Sequence, residues 1–123
     1  MVERQRLGQI AEIQASRFLE ARGYRIRVHN WRCPLGEVDL IADHRQDLVF
    51  IEVKSRRSGD YGRPADAVNL VKRRKLSRLA DAYMQSQHLT EVNCRFDVVE
   101  LILSDEGRVE HLNVIEDAFE YTP

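Results

Sequence analysis

Cysteine is scarce in this sequence: Cys33 and Cys94 are the only two in 123 residues. They fit no zinc-ligand spacing and are too few for a disulfide framework, so both are expected to be free thiols in a reducing compartment. No apolar run is long enough to cross a bilayer, and Met1-Val2-Glu3-Arg4-Gln5-Arg6 lacks a signal-peptide core. A cytoplasmic protein with no membrane partner is the expectation. Six glycines and three prolines leave no room for a low-complexity linker, and no internal repeat is visible. A net charge of −1 gives no hint, as a total, of a polyanionic partner.

What is present points to one domain with a real core, since 43% of the residues are hydrophobic. Charged residues reach 32%, above the usual value of about 25%, and their distribution is uneven. Nine basic residues lie between Lys54 and Arg78, opposed only by Asp60 and Asp66. From Asp97 to Pro123, eight acidic residues face Arg108 alone. Such segregation can steer a polyanion to one face of a nearly neutral protein.

Periodicity sets the order of elements. Leu7, Ala11, Ala15, Phe18 and Leu19 mark a helix over 4–22, stopped by Gly23. Tyr24 to Trp31 alternates as a half-exposed strand, and Cys33-Pro34-Leu35-Gly36 turns the chain. Segments 37–42 and 48–53 form a hairpin. Residues 55–64 read as a loop. A helix follows from about 65 to 88, with Val68, Val71, Leu79, Ala80 and Tyr83 on its inner stripe. Strands 95–103 and 109–114 and a short helical tail at 115–119 complete the chain. Strand 48–53, the second helix and strand 95–103 make a parallel crossover, so the expected fold is α/β: a mixed central sheet between helical layers.

Strand 48–53 is apolar on both faces and should be central, yet Glu52 and Lys54 share one of its faces. Buried ions rarely improve stability over apolar residues of similar volume. A four-residue loop, His44 to Asp47, sets Asp43 against Leu48; Asp39 then faces Glu52, and Glu37 faces Lys54. Two carboxylates that close repel unless one is protonated or a cation lies between them. Asp39 and Glu52 are therefore the candidate metal ligands, Mg²⁺ the natural ion, and Lys54 a group to stabilise charge on phosphate oxygens. A salt bridge of Glu52 or Glu37 with Lys54, beside a solvated Asp39, is the plainer alternative.

Glu12 shares a helix face with Gly8, Ala15, Ser16 and Leu19, as a fourth member of the site or as an edge glutamate. Lys75 sits on the stripe of Val71 and Leu79, reaching back to the site or snorkelling outward, and Lys72 reads as solvent-facing. Arg56, Arg57 and Arg63 occupy the loop after the site, where they could grip phosphates together with Lys72 and Lys75. Tyr61 is available to stack on a base. Asp97 in an apolar strand is expected to pair with Arg95 as structural support.

Taken together, Gly36-Glu37-Val38-Asp39-Leu40-Ile41-Ala42, then Leu48-Val49-Phe50-Ile51-Glu52-Val53-Lys54-Ser55-Arg56, resembles the signature of the YraN-like proteins, a family of small bacterial predicted endonucleases. Gly8, Glu12, Tyr61-Gly62, Lys72, Lys75, Arg95-Phe96-Asp97-Val98-Val99 and Asp117-Ala118-Phe119 extend the likeness over nearly the whole chain. The family pattern has Gly before the helix Glu, where Ala11 stands here. That family is similar to the restriction-endonuclease-like superfamily, which includes Holliday-junction resolvases. The resemblance implies a three-layer α/β/α core, an Asp39, Glu52 and Lys54 triad assisted by Glu12, and Mg²⁺ or Mn²⁺ as cofactor. The activity it implies is hydrolysis of DNA, including branched or damaged DNA. A non-catalytic nucleic-acid-binding module on the same fold is the alternative. A duplex-cutting enzyme of this size would be served by a homodimer that reaches both strands, although no interface stripe stands out.

Overall fold

The structure, a computed structural model, describes residues 1–60 and 68–123. Tyr61, Arg63, Pro64 and the first residues of the expected second helix lie outside the described residues. In chain order the elements are α1 (Arg4–Ala21), β1 (Arg25–Cys33), β2 (Gly36–His44), β3 (Asp47–Arg57), α2 (Leu70–Ser86), β4 (Cys94–Leu103) and β5 (Val109–Phe119). The five strands make one mixed sheet in the order β1-β2-β3-β4-β5, with β3 and β4 parallel and the other pairs antiparallel. Among the described residues, no helix is long and apolar enough to cross a membrane.

Two apolar clusters, one on each side of the sheet, define an α/β/α arrangement of three layers. Leu7, Ala11, Ala15 and Leu19 of α1 pack on Leu40, Val49, Ile51, Val99 and Leu101. Leu76, Leu79, Ala80 and Tyr83 of α2 pack on Val38, Ile41, Phe50, Phe96 and Val98. Consecutive residues of β3 and β4 supply both clusters, which explains their uninterrupted apolar runs.

The expected β2–β3 register holds over Leu40↔Ile51 to Asp43↔Leu48. The loop is shorter than the expected four residues: His44 pairs with Asp47, and Arg45 and Gln46 alone turn the chain at φ 50° and 71°. A two-residue turn with both φ positive matches the twist of the strands it joins, and it gives the same register.

Three boundaries differ from the sequence reading. β3 continues through Ser55, Arg56 and Arg57, which were expected in a loop, because β4 pairs with it as far as Arg57↔Leu103. β5 replaces the expected helical tail: Ile115, Ala118 and Phe119 pack on the α2 side, and the Phe119 ring stacks on Phe96 at 4.8 Å. Finally, α2 begins at Leu70 with Asn69 as its cap, the Asn69 side chain accepting from the Lys72 N–H at 3.0 Å. Val71, expected on the inner stripe, is 77% exposed. The buried stripe is Leu76, Leu79, Ala80 and Tyr83, and Val71 falls outside it.

Away from the turn, the sheet departs from simple alternation. Val38 and Ile41 face α2 whereas Leu40 and Ala42 face α1, so β2 slips phase at Asp39. Its neighbour makes a matching slip: Asn30 has φ 52°, and the pairs His29↔Leu40 and Trp31↔Val38 flank it. Pairing between β1 and β2 survives, but the β2–β3 ladder stops at Leu40↔Ile51. This parted end of the two strands holds the site.

Candidate metal and phosphate site

Where the ladder stops, the Asp39 side chain takes over from the backbone: its Oδ2 accepts from the Val53 N–H at 2.8 Å. That bond fixes the carboxylate between the two strands and leaves Oδ1 without such a bond. Glu37 precedes it on β2, and Glu12 reaches in from α1. Glu12, Glu37 and Asp39 each offer a carboxylate oxygen, and the three atoms lie within 4.8 Å of one another. Arg32 donates to Glu37 from the outside, at 3.1 Å. Burial drives the Asp39 carboxyl upward, and the charges of Glu52, Glu12 and Glu37 add to the effect. The Val53 N–H opposes them, and the outcome is a carboxyl pushed up to about 7 from its ordinary 3.8.

Glu52 projects from β3 into the same hollow, about 280 Å³ in volume, lined by Glu37, Asp39, Glu52, Lys72, Lys75, Leu76 and Leu79. It is only 7% exposed, and two ammonium groups hold its Oε1: Lys72 Nζ at 2.7 Å and Lys54 Nζ at 3.1 Å. Burial would lower Lys72, but its contact with Glu52 outweighs that and holds its pKa above the ordinary lysine value. Lys54 goes the other way. Burial and the adjacent Lys72 push it down against the pull of Glu52. One lysine is thus tied to the carboxylate as a firm cation, while its neighbour is the more easily discharged.

The structure therefore brings together Asp39, Glu52, Lys54 and Glu12, the four residues singled out from the sequence. The carboxylates sit differently from the expected Asp39–Glu52 pair. Asp39 groups with Glu12 and Glu37, while Glu52 leans toward the lysines. Lys72, read as solvent-facing, is half-buried and bonded to Glu52. With the helix capped at Asn69, Lys72 falls in its first turn, within reach of Glu52. The register alone sets Glu37 opposite Lys54, whereas the structure groups it with Glu12 and Asp39. Lys75, an exposed residue, lines the hollow, and its Cε would lie 2.8 Å from a Cβ placed on Gly36. Gly36, at φ 145°, has the backbone conformation and the missing side chain that this approach requires.

Arg56 and Arg57 are not on a free loop. Arg56 donates to the carbonyls of Arg57 and Asp60, at 3.3 and 2.8 Å, and Arg57 donates to the Val2 carbonyl. Asp105 stands 3.8 Å from the Arg57 Nε. With Arg4 and Gly8 they border a separate hollow of about 440 Å³. Arg63, the third arginine of that set, lies outside the described residues. At the turn end of the hairpin, Asp97 does pair with Arg95, at 3.0 Å. Tyr24 donates to Asp97 at 2.7 Å, and Arg95 also reaches Asp47 at 3.0 Å and His44 at 2.5 Å, a buried network that secures that end.

These features define an α/β protein with a carboxylate and lysine cluster at the parted end of two central strands. The family model described as "Uncharacterised protein family UPF0102" matches residues 11–101, a stretch that includes every member of the cluster. The chain belongs to the UPF0102 family, which is the YraN-like family that its residues resembled. A UPF0102 protein of Moorella thermoacetica is 46% identical over 116 residues, covering 94% of this chain and 97% of the relative. One from Syntrophus aciditrophicus is 45% identical, over 98% of this chain and 93% of its own length. One from Caldicellulosiruptor saccharolyticus is 41% identical, over 96% of this chain and all of its own length.

Proposed function

We propose that this protein is a divalent-metal-dependent endonuclease of the restriction-endonuclease-like superfamily, hydrolysing phosphodiester bonds in DNA. The observation that carries the reading is the meeting of Glu12, Glu37 and Asp39 within 4.8 Å beside a buried Glu52. Four acids so placed repel one another, and a cation among them relieves that repulsion.

The donor set fits a hard ion. It consists of carboxylate oxygens with no nitrogen or sulfur ligand, which suits Mg²⁺ or Mn²⁺ better than zinc. Asp39, Glu12 and Glu37 would hold the ion, with Glu52 at the edge of the group. Once bound, the ion supplies a Lewis acid for a phosphate oxygen and acidifies water. The chain's own residues do the rest. Lys72 and Lys54 pin Glu52, and Lys72, which lines the hollow, keeps positive charge where phosphate oxygens would collect. The Val53 N–H holds Asp39 in one orientation, so its free oxygen is positioned before anything binds.

The test is incubation of purified protein with labelled duplex, single-stranded and branched DNA in Mg²⁺, Mn²⁺ or EDTA. Metal-dependent cleavage that disappears in Asp39→Asn and Glu52→Gln supports the reading; cleavage that persists in both refutes it. One feature favours a second reading, a DNA-binding module without chemistry: the Glu52 carboxylate is already satisfied by two ammonium groups. Salt-sensitive DNA binding with no cleavage in either metal would select it.

A further inference from the structure

Lys75 borders two hollows. Besides the one it shares with the acidic cluster, it lines a second of about 420 Å³, together with Leu35, Val71, Arg74 and Arg78. Its apolar members are unusually open to water for their type: Leu35, in the β1–β2 turn, is 53% exposed, and Val71, in the first turn of α2, is 77% exposed. Its other members are all cations. Among the described residues, Arg74, Lys75 and Arg78 have no acidic side chain within 4.0 Å.

The placing of these cations works against the helix that carries them. Lys72, Arg73, Arg74 and Lys75 fall in the first two turns of α2, and its first turn contains no acid. Cations at a helix N-terminus oppose the helix dipole and repel one another. Glu52 accounts for Lys72 alone. A charge cluster unfavourable to its own helix is suited to an anionic partner, and the exposed leucine and valine between the cations suit one that is apolar between its charges. A nucleic-acid strand has both properties only where a base has left the stack. A base taken out of the stack is held between apolar or aromatic side chains.

We propose that the hollow between Leu35 and Val71 receives a nucleobase displaced from the bound strand, while Arg74, Lys75 and Arg78 hold its flanking phosphates. The preferred substrate is then DNA carrying unpaired nucleotides, and Lys75 marks the boundary between the base hollow and the metal site. This inference rests on the nuclease reading for its substrate, and its test is arranged to fail separately.

The full-length protein in EDTA is titrated into two DNA duplexes that differ only in whether a 2-aminopurine nucleotide is paired or bulged. Fluorescence reports the state of the base, and anisotropy of a second label reports affinity. The bulged probe is expected to bind about tenfold more tightly, in the range that accommodating one unstacked base supplies. In the double variant Leu35→Ser, Val71→Ser that preference should shrink to about twofold or less, with affinity for the paired duplex retained. Both side chains are exposed, so the fold is expected to survive, and an unchanged thermal midpoint verifies this. Arg74→Gln with Arg78→Gln should weaken binding of both probes and reduce the salt slope by about two. Equal affinity of the unmodified protein for the two probes, or a preference untouched by the double variant, overturns the inference. Cleavage in Mg²⁺ is scored on the same preparations. Cleavage without preference removes the base hollow alone, and preference without cleavage removes the hydrolase reading alone.

Discussion

Replacing Asp39 by asparagine should make the metal-free protein more stable at neutral pH and above. The carboxyl is held at about 7 in the folded protein against an ordinary 3.8, so the folded chain binds this proton more tightly than the unfolded chain. Between those two values stability falls as pH rises, and above pH 7 the whole penalty is present. Taken at face value, that difference is a cost of about 4 kcal/mol at pH 8. Relaxation of the half-buried Glu12 and Glu37 and entry of water reduce it, and about 1–3 kcal/mol is the expected gain from Asp39→Asn. The amide oxygen of asparagine still accepts from the Val53 N–H, so the change removes charge without orphaning the backbone. The assay is urea denaturation in EDTA at pH 5 and pH 8. With slopes of roughly 1–2 kcal/mol per molar, the variant's midpoint at pH 8 should rise by about 1 M. At pH 5 the gain should be clearly smaller, since only the part of the penalty that builds up between 3.8 and 5 is present there. A variant less stable than the parent at pH 8, or one equally stabilised at both pH values, refutes the account of strain at this site.

Three further outcomes follow from the same geometry. Mg²⁺ should raise the thermal midpoint at pH 8, by about 1.4 kcal/mol of stabilisation at ten times its dissociation constant, and should do so far less at pH 5 or in Asp39→Asn; calorimetry across pH checks this. Glu52→Gln leaves Lys54 and Lys72 facing each other without their shared carboxylate, and should destabilise the fold by about 1–3 kcal/mol, with partial recovery in Glu52→Gln, Lys72→Met, as urea denaturation of the parent and the two variants would show. Arg95→Met strands the buried Asp97 and should cost about 3–5 kcal/mol; near-neutral stability in urea would mean that the network is incidental.

The elements were legible in the sequence because the core is segregated by position. Apolar runs through β3 and β4, stripes on both helices and the matched hairpin fix the layers and the register without further information. What escaped were features set by distant partners. Arg56 and Arg57 carry loop-like neighbours, yet β4 draws them into the sheet. Segment 115–119 looks helical locally, but Phe119 is claimed by Phe96 and the Asp117 N–H by Asp97 at 3.0 Å. The site was legible in its residue types, since acids on a central strand stand out. Its exact membership was not. The phase slip at Asn30 and Asp39 changes which carboxylates converge, and strict alternation gives no sign of it.

That slip carries a lesson for anyone tracing this site through related sequences. Position 39 must present an oxygen to the Val53 amide whether or not a metal is ever bound, so aspartate or asparagine there says little about chemistry. Glu12, on the other hand, has no hydrogen bond to the backbone among the described residues, and Glu37 bonds only an exposed arginine. On the nuclease reading proposed above, a relative without the chemistry would be free to lose those two first. On that reading their side chains, more than the aspartate's, are the ones whose identity would report on metal binding.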